Sequence, residues 1–175
     1  MTLETAHRIG TVQDLTQPLE LANRLVGETC WQASFSYGDE LNLHFGERIP
    51  YSHPKLVGQS KGSWILGSRG TNWQLESPLG ILITSEASRE EMEAEVKKIE
   101  GSTVTKLEIG FPQLDLILSF DHQLCLKILP TSEDDEYNLA YWELFTPDHH
   151  LLEVRPRMTW VYKSSVKSEE KVAQN

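Results

Sequence analysis

The phrase Trp-x-Leu-x-Ser/Thr-Pro occurs twice in this chain, as WQLESP at 73–78 and as WELFTP at 142–147. Trp and Leu two residues apart fall on one face of a strand, and the proline ends it, having no N–H for a ladder and restricting the residue before it. The context recurs in the same order. A helical segment ends at Gly27 in one half and at Gly101 in the other. A strand and a turn follow, then Glu40-Leu-x-Leu-x-Phe45 against Asp115-Leu-x-Leu-x-Phe120, then the Trp phrase, then a strand that matches Leu82 with Leu151. Alternation alone would make any two amphipathic strands look alike. Trp and Pro are uncommon, so their joint recurrence in order points to an internal duplication. The expected fold is α+β and mostly β. Two helix-plus-antiparallel-sheet units would form a pseudo-twofold sandwich or partial barrel with two covering helices. Trp73 and Trp142 are then equivalent core residues.

Local signals fill in the halves. Residues 13–26 read as a helix that starts near Thr16 or Gln17, because Pro18 is tolerated only in a first turn. Residues 86–100 read as a second helix, opened by a capping box of Ser88 with Glu91. Residues 30–35 and 41–45 alternate about a Gly38-Asp39 turn and read as a hairpin. The glycines and prolines of 46–62 predict a long loop, with a short edge strand at most. Strands are expected at 63–68, 72–77, 80–85, 103–111, 115–120, 123–129, 139–145, 150–154 and 158–163. With 175 residues, one domain over 1–163 is expected, copy one at about 13–85 and copy two at 86–163, followed by a disordered tail at 164–175.

A formal charge of −10 argues against a nucleic-acid surface, which needs clustered Lys and Arg, and suits a basic partner. The N-terminus lacks the basic and apolar regions of a signal peptide, and no run of about 18 apolar residues exists, so a cytoplasmic protein without a membrane span is expected. Cys30 and Cys125 stand alone inside apolar runs and read as two buried reduced thiols.

The pattern Asp115-Leu-x-Leu-x-Phe120, Trp142-Glu143-Leu144, Thr146-Pro147-Asp148 and Leu152-Glu153-Val154 resembles one recurring in small uncharacterised bacterial domains, over about 50 residues. Some domains of that kind are encoded near toxin systems, which implies an interaction protein. The shared motif is structural and carries no catalytic residue.

Chemistry, if present, lies where the halves differ. The stretch 46–72 holds Arg48, Lys55, Lys61 and Arg69 against Glu47, formally +3, while 121–141 holds Asp121, Glu133, Asp134, Asp135 and Glu136 against Lys127. Arg48, Tyr51, His53, Lys55, Lys61 and Arg69 are therefore the candidate binding residues, with nearby glycines letting backbone amides approach an anion; the alternative is a solvated loop that happens to be basic. Lys61-Gly62-Ser63 lacks the P-loop frame. His149-His150 would point to opposite faces of a strand and reads as a turn, not a metal site. His44 falls on the polar face of its strand, and the acidic run 133–136 lacks the glycine and spacing of a calcium loop. No nucleophile–base frame stands out, and no cofactor or metal is implied. Two readings remain. One is a non-enzymatic protein-interaction module, an acidic neutralising partner of a basic protein. The other is a small-molecule-binding β-barrel, catalytic or not, with Trp31, Trp64, Trp73 or Trp142 lining a pocket.

Overall fold

The computed structural model describes residues 4–36, 38–131, 136 and 138–166. In chain order it runs β1 (His7–Arg8), α1 (Thr16–Asn23), β2 (Cys30–Phe35), β3 (Leu41–Pro50), β4 (Ser60–Ser68), β5 (Asn72–Ser77), β6 (Gly80–Thr84) and α2 (Arg89–Val96). It continues with β7 (Val104–Ile109), β8 (Leu116–Phe120), β9 (Cys125–Leu129), β10 (Trp142–Phe145), β11 (His150–Arg155) and β12 (Thr159–Ser164). This is the expected mostly-β α+β fold. Two antiparallel sheets form, one in the order β1-β12-β11-β10-β4-β3-β2 and one in the order β6-β5-β9-β8-β7. Leu43, Phe45, Leu66, Trp142 and Leu144 of the first and Trp73, Leu75, Leu116, Leu118 and Leu126 of the second meet in one core. No helix among the described residues is long and apolar enough to cross a membrane.

Both helices are shorter than the sequence patterns suggest. Residues Val12–Leu15 form a 3-10 turn that leads into α1, with Pro18 in the first turn where it displaces no hydrogen bond. At α2 the capping box is present: Ser88 Oγ accepts from Glu91 N, and Glu91 Oε2 accepts from Ser88 N at 3.2 Å. The last turn tightens into a 3-10 turn at Lys97–Ile99. Gly27 and Gly101 follow their helices at φ +96° and +88°, a conformation open to glycine at little cost.

The largest difference from the sequence reading is at 46–62. It is not a long loop: β3 continues to Pro50 and β4 begins at Ser60, with Arg48 facing Gly62 and Ile49 facing Lys61. Of its three glycines, Gly58 lies in the connecting turn, while Gly46 and Gly62 lie where the strands bulge and approach closely. Gly46 takes φ +75° where the register shifts. Gly62 lies so close to its neighbours that a Cβ would stand 2.6–2.7 Å from backbone atoms of Phe45 and Trp64. Two residues of the expected tail are held in the fold: Ser164 closes β12, and Ser165 is buried, its N–H donating to His149 O. Residues 167–175 of that tail and most of the acidic run, Glu133 to Asp135, lie outside the described residues.

The sheets meet along one seam, at the starts of β2 and β7. Gly27 N donates to Val104 O at 2.8 Å and Gly101 N to Cys30 O at 2.7 Å. Val104 N donates to Glu28 O at 3.0 Å and Cys30 N to Ser102 O at 2.9 Å. Raising each first-half number by 74 and lowering each second-half number by 74 turns one bond of each pair into the other. Between them the hydroxyls of Thr29 and Thr103 lie 2.7 Å apart. The same reciprocity holds at the tryptophans. Trp73 Nε1 donates to Asp39 O at 2.8 Å and Trp142 Nε1 to Leu114 O at 3.4 Å, each carbonyl two residues before its strand begins.

Candidate functional site

On the seven-stranded sheet Leu43 is fully buried against the core, so the pleat turns Asn42 and His44 outward. Register then lays two rows across the outer face. One runs Ser34, Asn42, Gly67, Glu143, Glu153; the other runs Gln32, His44, Ile65, Phe145, Leu151. Gly67 has no side chain to fill its place in the first row. A Cβ there would lie 3.5 Å from Glu143 Cγ and Oε1. The result is a cleft of about 410 Å³ over Gly67, bordered by Glu40, Asn42, His44, Tyr51, Arg69, Glu143 and Phe145. A wider crevice of about 530 Å³ opens at the seam beside Glu28, Gly46 and Trp64. It is open to solvent, and its Ser63 hydroxyl is engaged by Glu47 N.

The two carboxylates of the first row have different surroundings. Glu153 is 12% exposed and is held by Arg155, whose Nε lies 2.6 Å from its Oε2, with Lys163 at 3.9 Å. Glu4 in turn accepts from Arg155 and Lys163 at 2.8 and 2.7 Å. Glu143 is 15% exposed, and among the described residues its ion-pair contact is with Arg69, at 3.6 Å and itself 41% exposed. Burial pushes the Glu143 carboxyl above the usual glutamate range; Glu153 and Glu40 add to the rise, and the Arg69 guanidinium, with a weaker contribution from Lys163, opposes it without prevailing. Glu143 is thus a buried acid short of positive charge.

His44 borders the same cleft. Its Nδ1 accepts from Gly62 N at 2.9 Å, which leaves the proton of the neutral ring on Nε2. Burial holds its pKa below the ordinary histidine value. Trp31 tilts against it at 5.4 Å, and Arg48 lies over the Trp31 ring at 4.5 Å. Trp31 Nε1 is buried without an acceptor among the described residues.

The six residues singled out from sequence are not gathered into one anion site. Tyr51 and Arg69 border the cleft. Arg48 is spent on Trp31. His53 caps the turn Pro54–Leu56 at the end of the β3–β4 hairpin, its Nδ1 accepting from Lys55 N. Lys61 lies on β4 beside Ile49. The sequence pattern does not single out Glu143 or Gly67, and it places His44 only on the polar face of its strand. Their only early signal was the alternation that turns His44 outward.

Elsewhere the structure offers less. Among the described residues no group of three or more His, Cys, Asp or Glu side chains is placed to hold a metal ion. His149 sits in a turn at φ +59°, and His150 stacks on Tyr162 at 4.8 Å. Cys30 is buried, and burial pushes its thiol up to about 12. Cys125 is only half-buried, because register faces it to Ser119 and Glu76 on the outward row of the five-stranded sheet. Trp64, Trp73, Trp142 and Trp160 are buried in the filled core. No family model, curated protein or solved structure matches the chain.

Proposed function

We propose that this protein is a non-enzymatic interaction module that neutralises a basic protein partner, engaging it through the outer face of the seven-stranded sheet. The observation that carries this reading is Glu143, a buried carboxylate lining an open cleft whose ion-pair contact among the described residues is the half-exposed Arg69 at 3.6 Å. Its row neighbour Glu153 has two cations and needs no more. A positive group brought by a partner would relieve Glu143 in the folded protein, and the overall charge of −10 would steer such a partner toward it. The small-molecule reading has less support, because Trp73 and Trp142 are packed at 1% and 0% exposure and border neither opening.

The duplication belongs to the same proposal. It is supported by the reciprocal bonds across the Thr29–Thr103 seam, which have the form of an isologous contact between two copies of one surface.

The test is co-purification of the tagged protein from its own host, comparing wild type with Glu143→Gln. The expected result is a basic protein retained by wild type, released by added salt and absent from the variant. An acidic partner, or equal capture by both forms, refutes the reading.

A further inference from the structure

Resting on that reading, we propose that the cleft over Gly67 receives one arginine side chain of the partner, its guanidinium against Glu143. Three features define the occupant. The first is size. About 410 Å³ is near the lower end of small-ligand pockets and suits a single side chain better than a folded segment. The second is lining. Glu143 and Glu40 supply carboxylates, Asn42 an amide, and Tyr51 and Phe145 aromatic rings. Arg69 also lines the cleft, but the two carboxylates outnumber it, and a neutral occupant leaves Glu143 with that half-exposed arginine alone.

The third feature is a comparison within the molecule. On β10 the residue after Trp142 is Glu143, and it faces Gly67 of β4. On β5 the residue after Trp73 is Gln74, and it faces Lys127 of β9. Where the seven-stranded sheet has a glycine and a hollow, the five-stranded sheet has its own cation, and Lys127 Nζ lies 2.8 Å from Glu76 Oε2. One sheet carries a lysine at that facing position; the other has a glycine and open space there, with Arg69 reaching Glu143 at 3.6 Å from beyond the end of β4.

Arginine fits better than lysine. The planar fork can close on a carboxylate through two parallel N–H bonds at about 2.7–2.9 Å, and it is less strongly hydrated than an ammonium. Its flat face also stacks on rings, as this chain does with Arg48 on Trp31, Arg24 on Trp64 and Arg89 on Phe35. Arg69 does not pre-empt the site. At 3.6 Å it stands beyond hydrogen-bond length and leaves room for a closer partner.

The probe is a blocked tripeptide, acetyl-Gly-Arg-Gly-amide, titrated into the full chain at low salt and followed by amide chemical shifts. Lysine and citrulline versions serve as controls; citrulline keeps the shape of arginine without its charge. Saturable shifts at Gly67, Arg69 and Phe145 are expected with the arginine peptide, weaker ones with lysine and none with citrulline. Glu143→Gln should weaken arginine binding by ~10-fold or more, the scale of one charge-assisted bond. Gly67→Val, which fills the floor and leaves every charge in place, should also abolish it. Equal affinity for lysine overturns the choice of arginine, and equal affinity for citrulline overturns the cation. Shifts that survive both substitutions overturn the site. If the peptide fails to bind while capture of a basic partner still depends on Glu143, the single-arginine inference falls and the function stands. If neither depends on Glu143, both fall.

Discussion

Replacing Trp73 or Trp142 by alanine should remove a large fraction of the stability of this domain. Each ring is essentially solvent-free, at 1% and 0% exposure. Each sits at the centre of a shared core, so the space it leaves is lined by side chains from both sheets and cannot collapse. Loss of a buried Trp to alanine costs ~3–5 kcal/mol through lost transfer energy and residual cavity. A domain of this kind has about 5–15 kcal/mol in total, so either variant should unfold at a much lower urea concentration. Phenylalanine separates packing from hydrogen bonding. It keeps most of the ring and leaves the carbonyl of Asp39 or Leu114 without its donor, a loss of ~1 kcal/mol for a well-formed bond. The Trp73 bond is 2.8 Å and the Trp142 bond 3.4 Å, so Trp73→Phe should be the costlier of the two. Urea unfolding followed by far-ultraviolet circular dichroism, at unchanged slope, reads all four variants. An alanine cost below about 1 kcal/mol at either position would refute the packing argument, since no well-filled core yields so large a ring so cheaply. A Trp142→Phe cost exceeding that of Trp73→Phe would refute the hydrogen-bond ranking.

Two further outcomes follow from the same contacts. Gly62→Ala should destabilise by ~1–3 kcal/mol, the usual cost of overpacking, because its Cβ would meet backbone atoms of Phe45 and Trp64 that cannot rotate away; an unchanged melting temperature would show that the bulge has room. Glu143→Gln should raise stability at neutral pH and give no gain in acid. The folded protein holds this carboxyl above its unfolded value, so its contribution is favourable while protonated and is lost as pH rises through the folded value. Unfolding midpoints of wild type and variant should therefore converge as pH falls toward the ordinary glutamate range, and a gap independent of pH would contradict the assignment.

The strands were legible where the information is local. Alternation at 41–45 and 116–120 says which residues face inward, and Leu41, Leu43, Phe45, Leu116, Leu118 and Phe120 are all buried. The Ser88–Glu91 box is a four-residue signal and was read directly. Residues 46–62 were misread because glycine marks both a loop and a place where strands bulge or approach closely, and only the partner strand tells the two apart. The cleft could not be read at all. Gly67 and Glu143 come from opposite halves of the chain, and their juxtaposition depends on the register of β4 with β10. The basic stretch drew attention because charge is visible in sequence, yet its cations are dispersed along a hairpin. The carboxylate of the proposed site lies inside WELFTP, a phrase whose obvious content is structural.

The way the halves clasp explains why the site lies inside that phrase. Neither half keeps all its strands in one sheet. β2, β3 and β4 are extended by β10, β11 and β12 from the second half, while β7, β8 and β9 are extended by β5 and β6 from the first. The strands carrying Trp73 and Trp142 are therefore those that cross over, β5 to pair with β9 and β10 to pair with β4. Their inward residues must fill the shared core, which restricts Trp and Leu. Their outward residues lie at the junction of the halves and are free to vary. At one junction the outward pair is Gln74 with Lys127, and Glu76 anchors the lysine. At the other it is Glu143 with Gly67, a carboxylate beside a missing side chain. Two strands that share the Trp-x-Leu-x-Ser/Thr-Pro phrase and whose inner faces are held by packing thus carry different chemistry on their outer faces, and the proposed binding surface lies at the position where the two junctions differ.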